Sequence, residues 1–417
     1  MGFCDEFTSF DQQAIIKVVG IGGGGGNAVG RMIEAGLRDV EFITVNTDAQ
    51  ALKHSPAGTR LQIGEVGLGA GAKPEMGEKA ALDDRDRIGE VLAGADMIFL
   101  TAGLGGGTGT GATPIVAEIA RETGALTVAI VTLPFKFEGR GRMDNAIKGL
   151  KALQKKVDAL IVVPNERLAL LCHENISFLN AFCLADEVLH NGVRAISELI
   201  TVTGLINLDF ADVRTIMRDS GRALMGIGTA EGDKRGLRAA QEAIVCPLLE
   251  KSTIDGAMGV IVNVKGGSDM GMKEVLEAVT TVQKAAHPNA NIIFGAVVDD
   301  EPRPEMQVTV IAAGFPFEAM ADTDRYEDAV TLTLEVAEDI HQSVLPQPLP
   351  DPEPMPASVT APKKKKGAAA EQEEFLFPNE DPATMDEPHE VVTINFSRDQ
   401  EEDMGIPAFM RKRMKRS

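Results

Sequence analysis

Tryptophan is absent from this chain, and Tyr326 is its only tyrosine. Its cores must therefore be aliphatic and phenylalanine-based. Long apolar runs are missing as well. Nothing approaches the roughly 20 consecutive apolar residues that a membrane-spanning helix requires, and the N-terminus has no basic-then-apolar leader pattern. The expectation is a soluble protein that stays where it is made. Cysteine is scarce: Cys4, Cys172, Cys183 and Cys246 are scattered without metal-ligand spacing, which points to reduced thiols rather than a disulfide framework. Basic residues are outnumbered, 41 against 62 acidic ones, for a formal net charge of −21. That balance argues against nucleic-acid partners, whose phosphates an acidic surface repels. It suits a self-assembling protein whose repulsion is offset by cations.

Glycine, by contrast, is concentrated. Residues 103–111 read Gly-Leu-Gly-Gly-Gly-Thr-Gly-Thr-Gly after the apolar run Asp96–Ala102. Glycines at the end of a buried strand let backbone N–H groups converge on an anion. A helix starting after the loop would add the positive end of its dipole. The pattern predicts a phosphate cradle without the lysine of a P-loop, so amides, a metal ion or another subunit must neutralise the charge. A second glycine turn, Gly22–Gly26 with Asn27, lies between a strand at 15–21 and a helix expected over Ala28–Gly36. A further strand, Val40–Val45, ends in Asn46-Thr47-Asp48. Strand, glycine turn and helix open a doubly wound nucleotide fold, and an acidic residue after that strand also fits a dinucleotide-dependent oxidoreductase.

The combination of motifs decides between these. Gly105–Gly111 is similar to the signature loop of the tubulin superfamily. Gly22–Asn27 and Asn46–Asp48 resemble the flanking nucleotide loops of its bacterial branch. Pro134–Arg142, Pro164-Asn165, Ala181-Phe182 with Asp186, and Asn207–Val213 follow in the order of the FtsZ family of cell-division GTPases. The resemblance runs from about residue 13 to about 315 and returns in Gly405–Lys412.

That resemblance implies an α/β fold: a parallel-sheet nucleotide-binding domain, a long central helix, a smaller α/β domain and a disordered tail. The expected bounds are a loose arm over 1–12, the GTP-binding domain over 13–177, the central helix over 178–203 and the second domain over 204–316. A Pro-rich, acidic linker over 317–400 and a partner-binding peptide over 401–417 complete the chain. Independently, short apolar strands are expected at 127–132, 159–163, 259–264, 291–298 and 308–313, with helices over Phe178–Ile200 and Met272–Ala286. Pro occupies every second residue from Pro346 to Pro356, which enforces extended chain.

By the same resemblance, GTP or GDP is held by Gly23, Gly24, Gly25, Gly26, Asn27, Asn46, Asp48, Gly105, Gly106, Gly107, Thr108 and Gly109. Glu138 and Arg142 bracket the ribose and phosphate edge; alone, four residues apart, they read as a solvated ion pair. Asn165 and Asp186 read the guanine, because a carboxylate can accept from its N1–H and 2-amino group. Phe182, one turn earlier, stacks on the base or, read alone, fills a core. Asn207, Asp209 and Asp212 form the catalytic loop, donated to the next subunit's pocket to orient the attacking water. On spacing alone, Asp209 is a helix N-cap. Mg²⁺ is implied through the phosphates, with no metal ligand assigned.

The resemblance also implies a homopolymer in the cytoplasm, at the inner face of the membrane where division occurs. Ile406, Pro407, Phe409, Met410 and Arg411 are expected to grip membrane-tether and regulatory proteins. The basic run Arg411–Arg416 is long enough for direct contact with anionic lipid, at about 1 kcal/mol per basic residue.

Overall fold

The computed structural model describes residues 14–168, 177–201, 209–248 and 254–315. Ten strands form one sheet: β1 (Ile16–Ile21), β2 (Glu41–Asn46), β3 (Thr59–Gln62), β4 (Met97–Gly103), β5 (Leu126–Leu133), β6 (Ala159–Pro164), β7 (Gly221–Glu231), β8 (Gly259–Gly266), β9 (Asn291–Val298) and β10 (Glu305–Ala313). The helices are α1 (Gly22–Glu34), α2 (Ala49–Lys53), α3 (Pro74–Asp83), α4 (Arg85–Leu92), α5 (Thr108–Glu122), α6 (Arg140–Leu153), α7 (Asn165–Leu168), α8 (Phe178–Thr201), α9 (Phe210–Met217), α10 (Arg235–Ile244) and α11 (Met272–Ala285).

The strand order is 3-2-1-4-5-6-7-10-8-9. The first six strands are parallel. β1 and β5 are buried along their whole length, which is why they read as unbroken apolar runs rather than alternating ones. Ile21, the last residue of β1, pairs with Val45 of β2 on one side and Ala102 of β4 on the other. The chain runs outward from β1 to β3 and returns at β4, so the order reverses between β1 and β4. In such sheets the crevice beyond the strand ends at that point is where a ligand fits.

β7 continues the sheet in parallel with β6 through three residue pairs, Ala159↔Gly221 to Ile161↔Ala223. β10 then runs antiparallel between β7 and β8, and β9 lies parallel to β8 at the edge. α8 packs on α1 and β5 and also on β8 and β9. Its buried residues Val188, Leu189, Val193, Ile196 and Leu199 recur at helical spacing and join the large core. In the second half, Arg235 of α10 is nearly buried and gives a two-nitrogen pairing to Glu274 of α11, with Asp269 at 2.9 Å. This ties the two helices together.

Two helix starts differ from expectation. α1 begins at Gly22, so the five glycines are its first turn and more, not a loop before Ala28. α5 begins at Thr108, inside the second glycine motif. The reason is close approach. A Cβ on Gly25 would lie 2.2 Å from the Thr101 carbonyl oxygen of β4. Only glycine lets the helix sit that near the sheet, and this packing outweighs glycine's poor helix propensity, about 1 kcal/mol per residue.

Candidate functional site: a glycine-walled crevice at the sheet's switch point

The N-termini of α1 and α5 open side by side at the C-terminal ends of β1 and β4. Their free N–H groups and dipoles make the crevice a place for anionic oxygens. The glycines divide by role. Gly25 is closed in by backbone, whereas Gly23 and Gly106 have open space where a Cβ would be. Gly23, Gly24 and Asn27 are exposed and Gly26 and Gly106 half-buried, while Gly105, Gly107, Thr108 and Gly109 are buried. Thr108 Oγ1 lies 2.6 Å from Thr47 Oγ1, which joins the α5 start to the end of β2. Gly105 N–H donates to Thr110 Oγ1 at 2.8 Å. Asn46 is buried and accepts from the Asp48 N–H. Asp48 caps α2, accepting from Gln50 and Ala51 N–H.

The other candidate residues come from distant segments. Glu138 and Arg142 are an ion pair, and Glu138 also accepts from Phe135 N–H at 2.9 Å. The backbone of Arg142 lies against Gly105, so this pair borders the glycine loop. Phe182 meets Phe135 edge-on, centroids 5.4 Å apart, beside the exposed Phe137. Asn165 is 5% exposed, and among the described residues its Oδ1 has no hydrogen-bond partner. A buried orphan acceptor costs about 1–3 kcal/mol and invites a donor. Asp186 accepts from Arg31 Nε at 2.9 Å. Burial pushes its carboxyl up to about 7 even though Arg31 pulls the other way.

The two acids lie elsewhere. Asp209 is the N-cap of α9, accepting from Ala211 N–H at 3.1 Å, and Asp212 sits in the first turn. Both are exposed, and the Asp212 carboxylate makes no bond among the described residues. Further along α9, Arg214 donates to the Gly124 carbonyl at 3.2 Å, just past the far end of α5 from Thr108. Fifteen helical residues, about 22 Å at 1.5 Å each, therefore separate the phosphate-type loop from the anchor of α9. Asn207 and the tail residues Ile406, Pro407, Phe409, Met410 and Arg411 lie outside the described residues.

Comparison with known proteins names this arrangement. Residues 15–173 match the GTPase domain of the Tubulin/FtsZ family, and residues 221–316 match the C-terminal domain of the FtsZ family. An FtsZ dimer from M. jannaschii is 44% identical, with a TM-score of 0.70 over 72% of this chain and 88% of that one. The chain belongs to the tubulin/FtsZ family. A point mutant of the M. jannaschii protein agrees equally, at 44% identity and TM-score 0.70 over 73% and 92% of the chains. CetZ2 from Haloferax volcanii, described as a GTPγS-bound protofilament, shares the fold at 21% identity and TM-score 0.63, over 76% and 99%. As a member of this family the chain is a GTPase that binds GTP and GDP.

Several residues around the FtsZ-type crevice escaped the sequence reading. Thr47 sat unremarked between Asn46 and Asp48. The segment at 66–70 is strapped to it, with Gly69 N–H donating to Thr47 O and Ala49 N–H to Gly67 O. α3 packs on α5 so tightly that a Cβ on Gly111 would lie 1.9 Å from Pro74 O. Glycines four apart at 107 and 111 were the available signal that something leans on that face, whereas Gly109 between them faces the Gly103 carbonyl of β4. Arg31 carried no signal at all. Among the described residues no group of three or more His, Cys, Asp or Glu could hold a metal ion, and no helix is long and apolar enough to cross a membrane.

Proposed function

We propose that this GTPase polymerises head to tail, completes its active site between neighbouring subunits, and assembles the ring that drives division beneath the membrane. One observation supports the shared site above others: Asp209 and Asp212 stand exposed on α9, which is anchored at the end of α5 remote from the phosphate-type loop. A chain cannot fold its own acids onto its own phosphates without breaking that anchor. A neighbour stacked along the filament axis can supply them, in a heterologous contact that repeats without closing.

In this reading the amides of Gly23, Gly24, Gly105, Gly106 and Gly107 hold the phosphates, and Thr108 keeps the loop in register through Thr47. Asn46, Asp48, Glu138 and Arg142 border the ribose, while Asn165, Phe182 and Asp186 select guanine. Mg²⁺, held mainly through phosphate oxygens, would neutralise charge that no lysine reaches. The incoming Asp209 and Asp212, with Asn207, orient a water for in-line attack. Phosphoryl transfer needs mainly such positioning. Self-assembly is also what the M. jannaschii dimer and the H. volcanii protofilament display for their own chains. The C-terminal peptide around Ile406–Arg411 would tether the polymer to membrane-bound partners.

Light scattering tests assembly. GTP in Mg²⁺ buffer should raise it and GDP should not, and ending the chain after Asp399 should leave that rise intact. A flat trace with GTP would contradict the polymer.

A further inference from the structure

α1 starts at the exposed glycines and, two turns later, presents Arg31 to α8. The Arg31 guanidinium grips α8 at two successive positions. Nε donates to Asp186 Oδ2 at 2.9 Å, and Nη2 donates to Cys183 Sγ at 2.8 Å. The Asp186 side chain is only 14% exposed, against 38% for Arg31. Its second oxygen, Oδ1, has no hydrogen bond among the described residues. One helix thus links the anion-binding end of the crevice to a half-buried carboxylate at the base end.

We infer that Arg31 is a positioning residue for base selection: it holds Asp186 as an ionised acceptor, tied through Oδ2, with Oδ1 open to the N–H donors of a guanine edge. This rests on Asp186 being the guanine reader. The physical need is clear from the surroundings. Burial favours the neutral acid, and a protonated Asp186 would present a donor to guanine's own donors. Arg31 is the cation that bonds it. Around the pair, Cys183, Glu187 and His190 come from α8 and Glu34 from α1, bordering a cavity of about 670 Å³. His190 is held neutral, pushed down to about 4 by burial and by Arg194 and Lys265. Across the cavity the charges engage one another: Lys265 with Glu198 and Asp299, Arg303 with Asp299, Arg194 with Gln307, and Glu305 on the rim.

The sign of the pH effect follows. The folded carboxyl titrates at about 7, above its ordinary 3.8. In the nucleotide-free chain this group's contribution to stability is therefore fully present below its unfolded pKa and is lost as pH rises through 7. Guanine binds the ionised form, so GTP affinity should rise as pH rises through the same range. Removing an opposite charge at this distance raises a carboxyl by about 1–3 pH units.

The test is calorimetric titration of the full chain with GTP and with ATP between pH 6 and 9.5. Arg31→Met, which keeps the aliphatic stem, should weaken GTP about five- to fiftyfold at pH 7 and recover it about 1–2 pH units higher. Arg31→Lys should return the midpoint toward that of the unmutated chain, and ATP binding should stay weak and indifferent to all three. A pH profile with an unmoved midpoint in both variants, while Asp186→Ala abolishes the preference for GTP, would overturn the role of Arg31 and leave Asp186 as the reader. An undiminished preference in Asp186→Ala would overturn both. Should Arg31→Met fail to fold, Arg31→Gln, which removes the charge but keeps an amide donor, decides in its place: a midpoint about 1–2 pH units higher supports the role of Arg31, and an unmoved one overturns it.

Discussion

Gly23 and Gly25 are identical in chemistry and two residues apart, yet one faces open space and the other a carbonyl oxygen 2.2 Å from where its Cβ would be. Substituting alanine separates packing from binding. Gly25→Ala should destabilise the nucleotide-free chain by about 3 kcal/mol or more, because backbone on both sides must move. Gly23→Ala should leave stability unchanged or raise it by about 0.5–1 kcal/mol, since alanine suits a helix better, while weakening GTP by crowding the amides. Urea unfolding and GTP titration of both variants check this. Equal losses of stability would mean the two positions are not distinguished as described. At this scale the residue types of the crevice were legible and their division of labour was not. A run of five glycines says that backbone comes close to something, but not whether the neighbour is a strand or a ligand. The Arg31–Asp186 pair spans 155 residues and leaves no local trace. The cap formed by Asp209, on the other hand, was visible from spacing alone, and the structure contains it.

α5 is the element on which the account turns, because one end is the Thr108 loop and the other holds α9. Arg214 reaches Gly124 O, and Arg121 of α5 pairs with Asp219, just beyond α9, at 2.8 Å. If this clamp aims the acids, Arg214→Met should lower turnover in assembled protein about ten- to a hundredfold, since small misplacements of catalytic groups are costly. GTP affinity should hold within about twofold, and Arg214→Lys should restore part of the rate. Turnover unchanged in Arg214→Met would show that α9 is aimed by other contacts. Elements were most legible where the physics is local. β5, β6, β8, β9 and β10 stood out as short apolar runs, and α11 as a clean helical period. β3 escaped because it is four residues long with two exposed, and β7 because glycines at 221, 226 and 228 break its pattern. The starts of α1 and α5 were misplaced because a local reading assigns glycine to turns, whereas the sheet beneath demands it in the helix.

For the whole molecule, the central claim is that neither end of a single chain suffices. Asp212 is the better probe of the donated acids, because removing Asp209 also removes a helix cap worth about 0.5–2 kcal/mol. The chain's net charge of −21 means that contacts between copies must form against repulsion, so assembly should weaken as Mg²⁺ and salt are withdrawn. The decisive measurement is complementation. Asp212→Ala should bind GTP and hydrolyse it poorly, its pocket intact and its donated loop damaged. Thr108→Ala should fail in the opposite way, with a damaged pocket and good acids. Mixed in equal amounts, the two inactive proteins should recover part of the turnover, as intact pockets meet intact acids, and the specific activity of the unmutated chain should climb with concentration before levelling. No recovery on mixing, with activity per molecule flat down to high dilution, would contradict the account and place hydrolysis within one chain.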